Sequence, residues 1–141
     1  MSGAKIYLAA YLGAGLALGG LDAVWLSQTS ANLYRPLLGA LLAPGFRVLP
    51  AALFYLIYLA GVVYFGVRPG LQRGSWRIST MNGGLFGFCC YATYDLTNQA
   101  TLVRWSTSIT LLDLAWGVFL TATGATAGYW AARLAGRALP F

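Results

Sequence analysis

Four apolar runs, at about residues 6–26, 48–67, 81–101 and 109–129, fill most of this chain of 141 residues. A helix of roughly 20 apolar residues crosses the hydrocarbon core of a bilayer. The chain therefore reads as all-α: a polytopic membrane protein with four transmembrane helices in one transmembrane domain over residues 1–141. Composition agrees, because 59% of residues are hydrophobic and 9% charged, whereas a water-soluble domain carries about a quarter charged. The first run follows Lys5 much as a signal peptide follows its basic start. It continues through Asp22 to Leu26 without a small-x-small cleavage site, so it is expected to be retained as a span.

The connections are polar and short. After the first span, Gln28, Thr29, Ser30 and Asn32 lead into Tyr34-Arg35-Pro36 and the run Leu37–Ala43. Residues 33–43 are too few to span and are expected to form a short interfacial or re-entrant helix, closed by Pro44-Gly45. Arg68–Thr80 reads as a polar connection, turned by Pro69-Gly70 and Gly74, and the tail from Trp130 to Phe141 as interfacial. The nine basic residues give a net charge of +6 but form neither a run nor a face, which argues against a nucleic-acid partner. Their distribution reads as topology. Lys5, Arg68, Arg73, Arg77, Arg133 and Arg137 share one side, and Arg35, Arg47 and Arg104 the other. The positive-inside rule puts the first group, with both termini, in the cytoplasm.

All three acidic residues lie in or at the ends of the apolar runs: Asp22, Asp95 and Asp113. Gly15 and Gly19 precede Asp22 on one helical stripe. Gly84, Gly87, Tyr91, Asp95 and Asn98 form a second stripe, and Asp113, Gly117, Thr121, Gly124 and Gly128 a third. Small residues of this kind let neighbouring helices approach closely. Counting 1.5 Å per residue from each span's midpoint, Asp22 and Asp113 come roughly 9 Å, and Asp95 roughly 6 Å, to the outer side of the membrane centre. One shared depth follows. A charged side chain there is costly and faces a partner or a cavity. Pairing with Arg35, Arg47 and Arg104, or hydrogen bonds to tyrosines and Asn98, is the alternative without a ligand.

The ligand-binding or proton-handling set read from these positions is Asp22, Asp95 and Asp113 with Tyr91, Tyr94, Asn98, Trp25, Trp116 and Arg35. Trp25 and Trp116 belong to it because Leu-Asp-x-x-Trp recurs at residues 21–25 and 112–116, a weak inverted repeat; an aromatic-belt role is the plainer account. Tyr55 and Tyr58 share a face and can offer hydroxyls to the aspartates or pack as aromatics. Cys89 and Cys90 are adjacent and read as packing residues. Without histidine or a separated cysteine pair, histidine-ligated haem, the usual zinc sites and a histidine base are excluded. No metal or cofactor is expected.

Leu21-Asp22-x-x-Trp25, Tyr34-Arg35-Pro36, Tyr91-Ala92-Thr93-Tyr94-Asp95-Leu96-Thr97-Asn98 and Asp113-x-x-Trp116 together resemble a family of small bacterial predicted membrane proteins of unknown function. Tyr94-Asp95-Leu96-Thr97-Asn98 is the specific part. The resemblance implies a four-helix inner-membrane protein and carries no activity.

Three functions fit these residues. The first is binding, with or without transport, of a small cationic or amphipathic, hydrophobic molecule at an outer-side carboxylate cluster. The second is a small membrane enzyme using carboxylate acid/base chemistry on a lipid or isoprenoid-like substrate, although nucleophile elbows and nucleotide loops are missing. The third is an accessory subunit docking through its glycine stripes. Membrane lipid is an expected partner in each, and a homodimer or larger membrane complex suits a thin four-helix bundle.

Overall fold

The computed structural model describes residues 2–42 and 47–138. The expected Pro44-Gly45 turn and the end of the tail lie outside the described residues. Within them every regular element is a helix: α1 (Ser2–Thr29), α2 (Arg35–Leu38), α3 (Val48–Gly61), α4 (Arg68–Arg73), α5 (Trp76–Thr101) and α6 (Thr107–Ala138). A π-helical turn at Ser30–Tyr34 joins α1 to α2, and another at Val62–Val67 joins α3 to α4. Three continuous stretches among the described residues are long and apolar enough to cross a membrane: Gly3–Leu38, Val48–Arg73 and Thr107–Gly136. The fourth expected span falls in α5, which Asn82, Thr93, Thr97, Asn98 and Gln99 make less apolar.

Two expectations about the connections are corrected. Residues 33–38 do not form a separate helix, because the first helix runs on through its π turn to Leu38. The second likewise passes the expected boundary at residue 67 and ends at Arg73. Both π turns stop at an Arg-Pro pair, Arg35-Pro36 and Arg68-Pro69. Proline lacks the N–H and collides with the carbonyl four residues back, so an unbroken α-helix is disfavoured there. The wider π turn relieves that collision: the amides of Arg35 and Arg68 reach back five residues, to the carbonyls of Ser30 and Val63. Side chains take up nearby carbonyls, with Thr29 donating to Trp25 at 2.6 Å and Asn32 to Gln28 at 3.2 Å.

Glycine ends both long helices. Gly39 has φ 46° and Gly74 φ 65°, left-handed conformations that side chains resist. After Gly74 the Ser75 amide closes on the Gly70 carbonyl at 2.9 Å, and α5 begins at once. The connection expected over residues 68–80 is thereby reduced to Gly74 and Ser75.

Helix α6 lies between α1 and α5 and packs antiparallel against each. Against α5 the ladder is regular. A Cβ on Gly83 would come 2.5 Å from the Ala125 Cβ, one on Gly87 2.5 Å from the Gly117 carbonyl oxygen, and one on Gly117 would enter the Tyr91 ring. Against α1, Gly124 receives Leu18 and Gly13 meets Ala131. Gly15 meets only the side chain of Leu59, and Gly19 faces open space, so the expected Gly15–Gly19 stripe does not seat a neighbouring helix.

Small residues recur through the core, where Ala10, Ala14, Ala125 and Ala132 join Leu18, Val62, Val67 and Leu120. The outer surface is the more apolar one: Leu8, Leu12 and Leu16, Leu49, Leu53 and Ile57, Met81, Leu85 and Phe88, Leu111 and Phe119 are all exposed. This inside-out distribution suits a lipid surround, where close backbone packing rather than burial from water holds helices together.

Candidate functional site

The packing sorts the charges. Lys5, Arg68, Arg73, Arg77 and Arg133 gather where α1 and α5 begin and α4 and α6 end. The three aspartates sit toward the other end, where the first half of α3 diverges from the bundle and most of its residues are exposed. That divergence leaves a cavity of about 520 Å³ between α1, α3, α5 and α6.

Its walls are aromatic and carry two carboxylates. Asp22, Trp25, Leu26 and Ser30 come from the first helix, and Tyr34, Leu38 and Leu42 from its continuation. Phe54 and Tyr58 come from α3, Cys90, Tyr91 and Tyr94 from α5, and Trp105, Ile109, Asp113 and Trp116 from the α5–α6 connection and α6. Leu26, Phe54 and Tyr94 are exposed, so the cavity opens sideways between helices.

Hydrogen bonds hold the carboxylates in place. Tyr55 donates its hydroxyl to Asp22 Oδ2, and Trp116 Nε1 donates to Asp22 Oδ1 at 3.3 Å. Tyr34 donates to Asp113 Oδ1 at 2.6 Å and accepts from Trp25 Nε1 at 3.0 Å. Trp25 and Trp116 stack with centroids 4.5 Å apart. Behind them Tyr58 and Thr121, whose hydroxyls are 2.5 Å apart, form a polar floor.

Asp95 is placed differently. It is fully buried and does not line the cavity, yet its carboxyl adjoins that of Asp113 as the next rung of the α5–α6 ladder. Among the described residues neither Asp95 oxygen has a donor. Asp22 and Asp113 take their hydrogen bonds from tyrosine and tryptophan rather than arginine, and Arg35, Arg47 and Arg104 are exposed.

Of the expected residues, Asp22, Asp113, Tyr91, Tyr94, Trp25 and Trp116 meet on the cavity wall. Asp95 stands behind it, Asn98 lies one turn beyond Tyr94, and Arg35 points away into an exposed position. A family profile described as Predicted membrane protein (DUF2177) matches residues 7–130. The chain belongs to that family. It is an integral membrane protein with a helical fold. No curated protein and no solved structure matches the chain.

The segment matched to DUF2177 contains the whole cavity wall and both π turns. It also contains residues that the sequence did not point to as part of the site: Tyr34, Phe54, Cys90 and Trp105. Tyr34 had a readable signal, because an Arg-Pro pair inside an otherwise helical segment marks a helix that must bulge before it. Trp105 had none, since its position depends on the α5–α6 connection folding back so that Trp105 Nε1 donates to Thr110 at 2.9 Å.

Proposed function

We propose that this protein binds an amphipathic organic cation in the cavity between α1, α3, α5 and α6. The observation that carries the reading is the lining. Two carboxylates, Asp22 and Asp113, face an otherwise aromatic and apolar space, and their recorded hydrogen bonds come from tyrosine and tryptophan, not from a cationic side chain. A cation entering there meets the carboxylates at close range and the faces of indole and phenol rings, an attraction worth more when water is excluded. The sideways opening past Leu26, Phe54 and Tyr94 suits a molecule whose apolar part stays in lipid.

The setting we propose is the bacterial inner membrane, with α5 as a fourth span and both termini cytoplasmic. Helix α5 has 26 residues, about 39 Å at 1.5 Å per residue. It packs along α6 and turns Met81, Leu85, Phe88 and Leu96 outward, as a lipid-facing helix does. The cation-rich end then lies inside by the positive-inside rule, and the carboxylate end lies outside.

Calorimetric titration of the purified full chain with tetraphenylphosphonium tests the reading. Saturable binding by the wild type, weakened at least about tenfold in Asp22→Asn and Asp113→Asn, is expected, the loss of one close charge contact being worth on the order of 1.4 kcal/mol or more. Absence of saturable binding to folded protein overturns it. Uptake of the same cation into proteoliposomes extends the reading from binding to transport.

A further inference from the structure

We infer that Asp95 and Asp113 hold a single proton between them, and that a cation entering the cavity at Asp113 expels it, so that binding exchanges one cation for one proton. The inference rests on the cavity being a cation site and adds the group that stores the exchanged charge.

The geometry begins with the α5–α6 ladder. Gly83, Gly87 and Tyr91 each meet α6 one turn apart, at Ala125, Thr121 and Gly117, and the next turn brings Asp95 to Asp113. The small residues on the earlier rungs hold the two backbones close, which keeps the carboxyl groups within reach of each other. Asp95 is 0% exposed, and neither of its oxygens meets a donor among the described residues. An ionised carboxylate left dry and without a donor is among the most costly arrangements in a folded chain. Two carboxylates facing each other are two acceptors and repel. With one proton they form a hydrogen bond, and Asp95 acquires the partner it otherwise lacks.

Among the described residues, no cationic side chain compensates the pair. From the first helix it is faced by the Tyr34 hydroxyl, already given to Asp113 at 2.6 Å, and more distantly by Asp22. Tyr91 and Tyr94 approach from α5 itself. Tyr55 on α3 donates to Asp22, and Tyr58 meets Thr121. No lysine or arginine is among these groups.

The balance is simple. With the shared proton the pair carries one negative charge. When a monovalent cation settles against Asp113 its positive charge takes over the proton's role, and the proton leaves through the open cavity to water. The pair is then doubly ionised with one cation beside it, so the site's total charge is unchanged. Asp95 does not touch the cavity; its part is to position and share the proton at Asp113.

The test is titration of the full-length protein with tetraphenylphosphonium in two buffers of different ionisation enthalpy near neutral pH, with infrared difference spectra of the same step. Wild type should release about one proton per bound cation and lose a protonated-carboxyl C=O band. Asp95→Asn, whose amide can donate to Asp113, should still bind the cation but release no proton and lack the band. Cation binding without proton release by wild type overturns this inference and leaves the cavity reading standing. No cation binding by folded wild type overturns both. Should Asp95→Asn fail to fold, the wild-type proton count and infrared band still decide.

Discussion

Trp25 and Trp116 lie face to face, ring centroids 4.5 Å apart and planes 11° from parallel, and each serves the aspartate of the other's Leu-Asp-x-x-Trp repeat. Trp116 donates directly to Asp22, while Trp25 donates to Tyr34, which donates to Asp113. The antiparallel packing of α1 on α6 makes this exchange possible. The two repeats form one interlocked unit, in which the stacked indoles fix the carboxylates' spacing.

Replacing Trp116 by Phe keeps an aromatic ring on Trp25 but removes the N–H that Asp22 accepts. Because Tyr55 still donates to Asp22, the expected loss in stability is modest, about 1 kcal/mol. Thermal unfolding in detergent measures it. A loss as large as that of Trp116→Ala would show that the indole N–H, not the stack, holds the unit together.

Tyr34→Phe should be worse. It removes the donor to Asp113 and the acceptor of Trp25 at once, leaving two half-buried polar groups without their partners. The expected cost is about 1–3 kcal/mol, with a loss of cation affinity in the same titration. Unchanged stability and affinity would show that water replaces the hydroxyl without penalty.

The glycines of the α5–α6 ladder are predicted to be intolerant, and those on the free side of α1 tolerant. A Cβ on Gly83 would press on the Ala125 Cβ at 2.5 Å and the Thr121 carbonyl oxygen at 2.9 Å, whereas one on Gly19 meets nothing within 4 Å. Gly83→Ala should cost about 1–3 kcal/mol by overpacking, and Gly19→Ala about 0.5 kcal/mol or less. Comparing the two in one unfolding series checks the assigned packing. A sensitive Gly19 would point to a further helix against α1, such as that of a second copy.

Cys90 reaches the cavity wall while its neighbour Cys89 is exposed on the outer side of α5. In a Cys89→Ser background, a trimethylammonium-bearing thiosulfonate should modify Cys90, and excess tetraphenylphosphonium should slow the reaction. The labelling rate by mass spectrometry reads this. An unaffected rate would place the cation elsewhere.

The sequence announced the helices and the carboxylate stripes, because apolar length and 3.6-residue spacing are local properties. Asp22, Asp113 and the two tryptophans were legible as a repeat before any contact was known. The first helix was expected to stop near Leu26, since the polar residues Gln28, Thr29, Ser30 and Asn32 break its apolar pattern. The helix runs on through them, with Thr29 and Asn32 donating back to the carbonyls of Trp25 and Gln28 one turn earlier. Arg35 was expected among the site residues and is exposed, because a sequence gives spacing along a helix but not which side a bulge turns outward. Asp95 was legible as buried. That it would stand behind Asp113 rather than beside the cavity depended on the register of α5 against α6, which no single segment encodes.

The π turn at Ser30–Tyr34 also sets a phase. Asp22 and Tyr34 are twelve positions apart (34 − 22), which on an uninterrupted α-helix leaves them about 120° out of step. One residue taken up by the wider turn brings them to within about 20°, onto the single face that looks into the cavity. The proline that forces the bulge therefore aims the tyrosine that holds Asp113. On a regular α-helix the same residues would carry Tyr34 about 100° further round, so in this segment the width of one turn carries as much of the site as the identity of its residues.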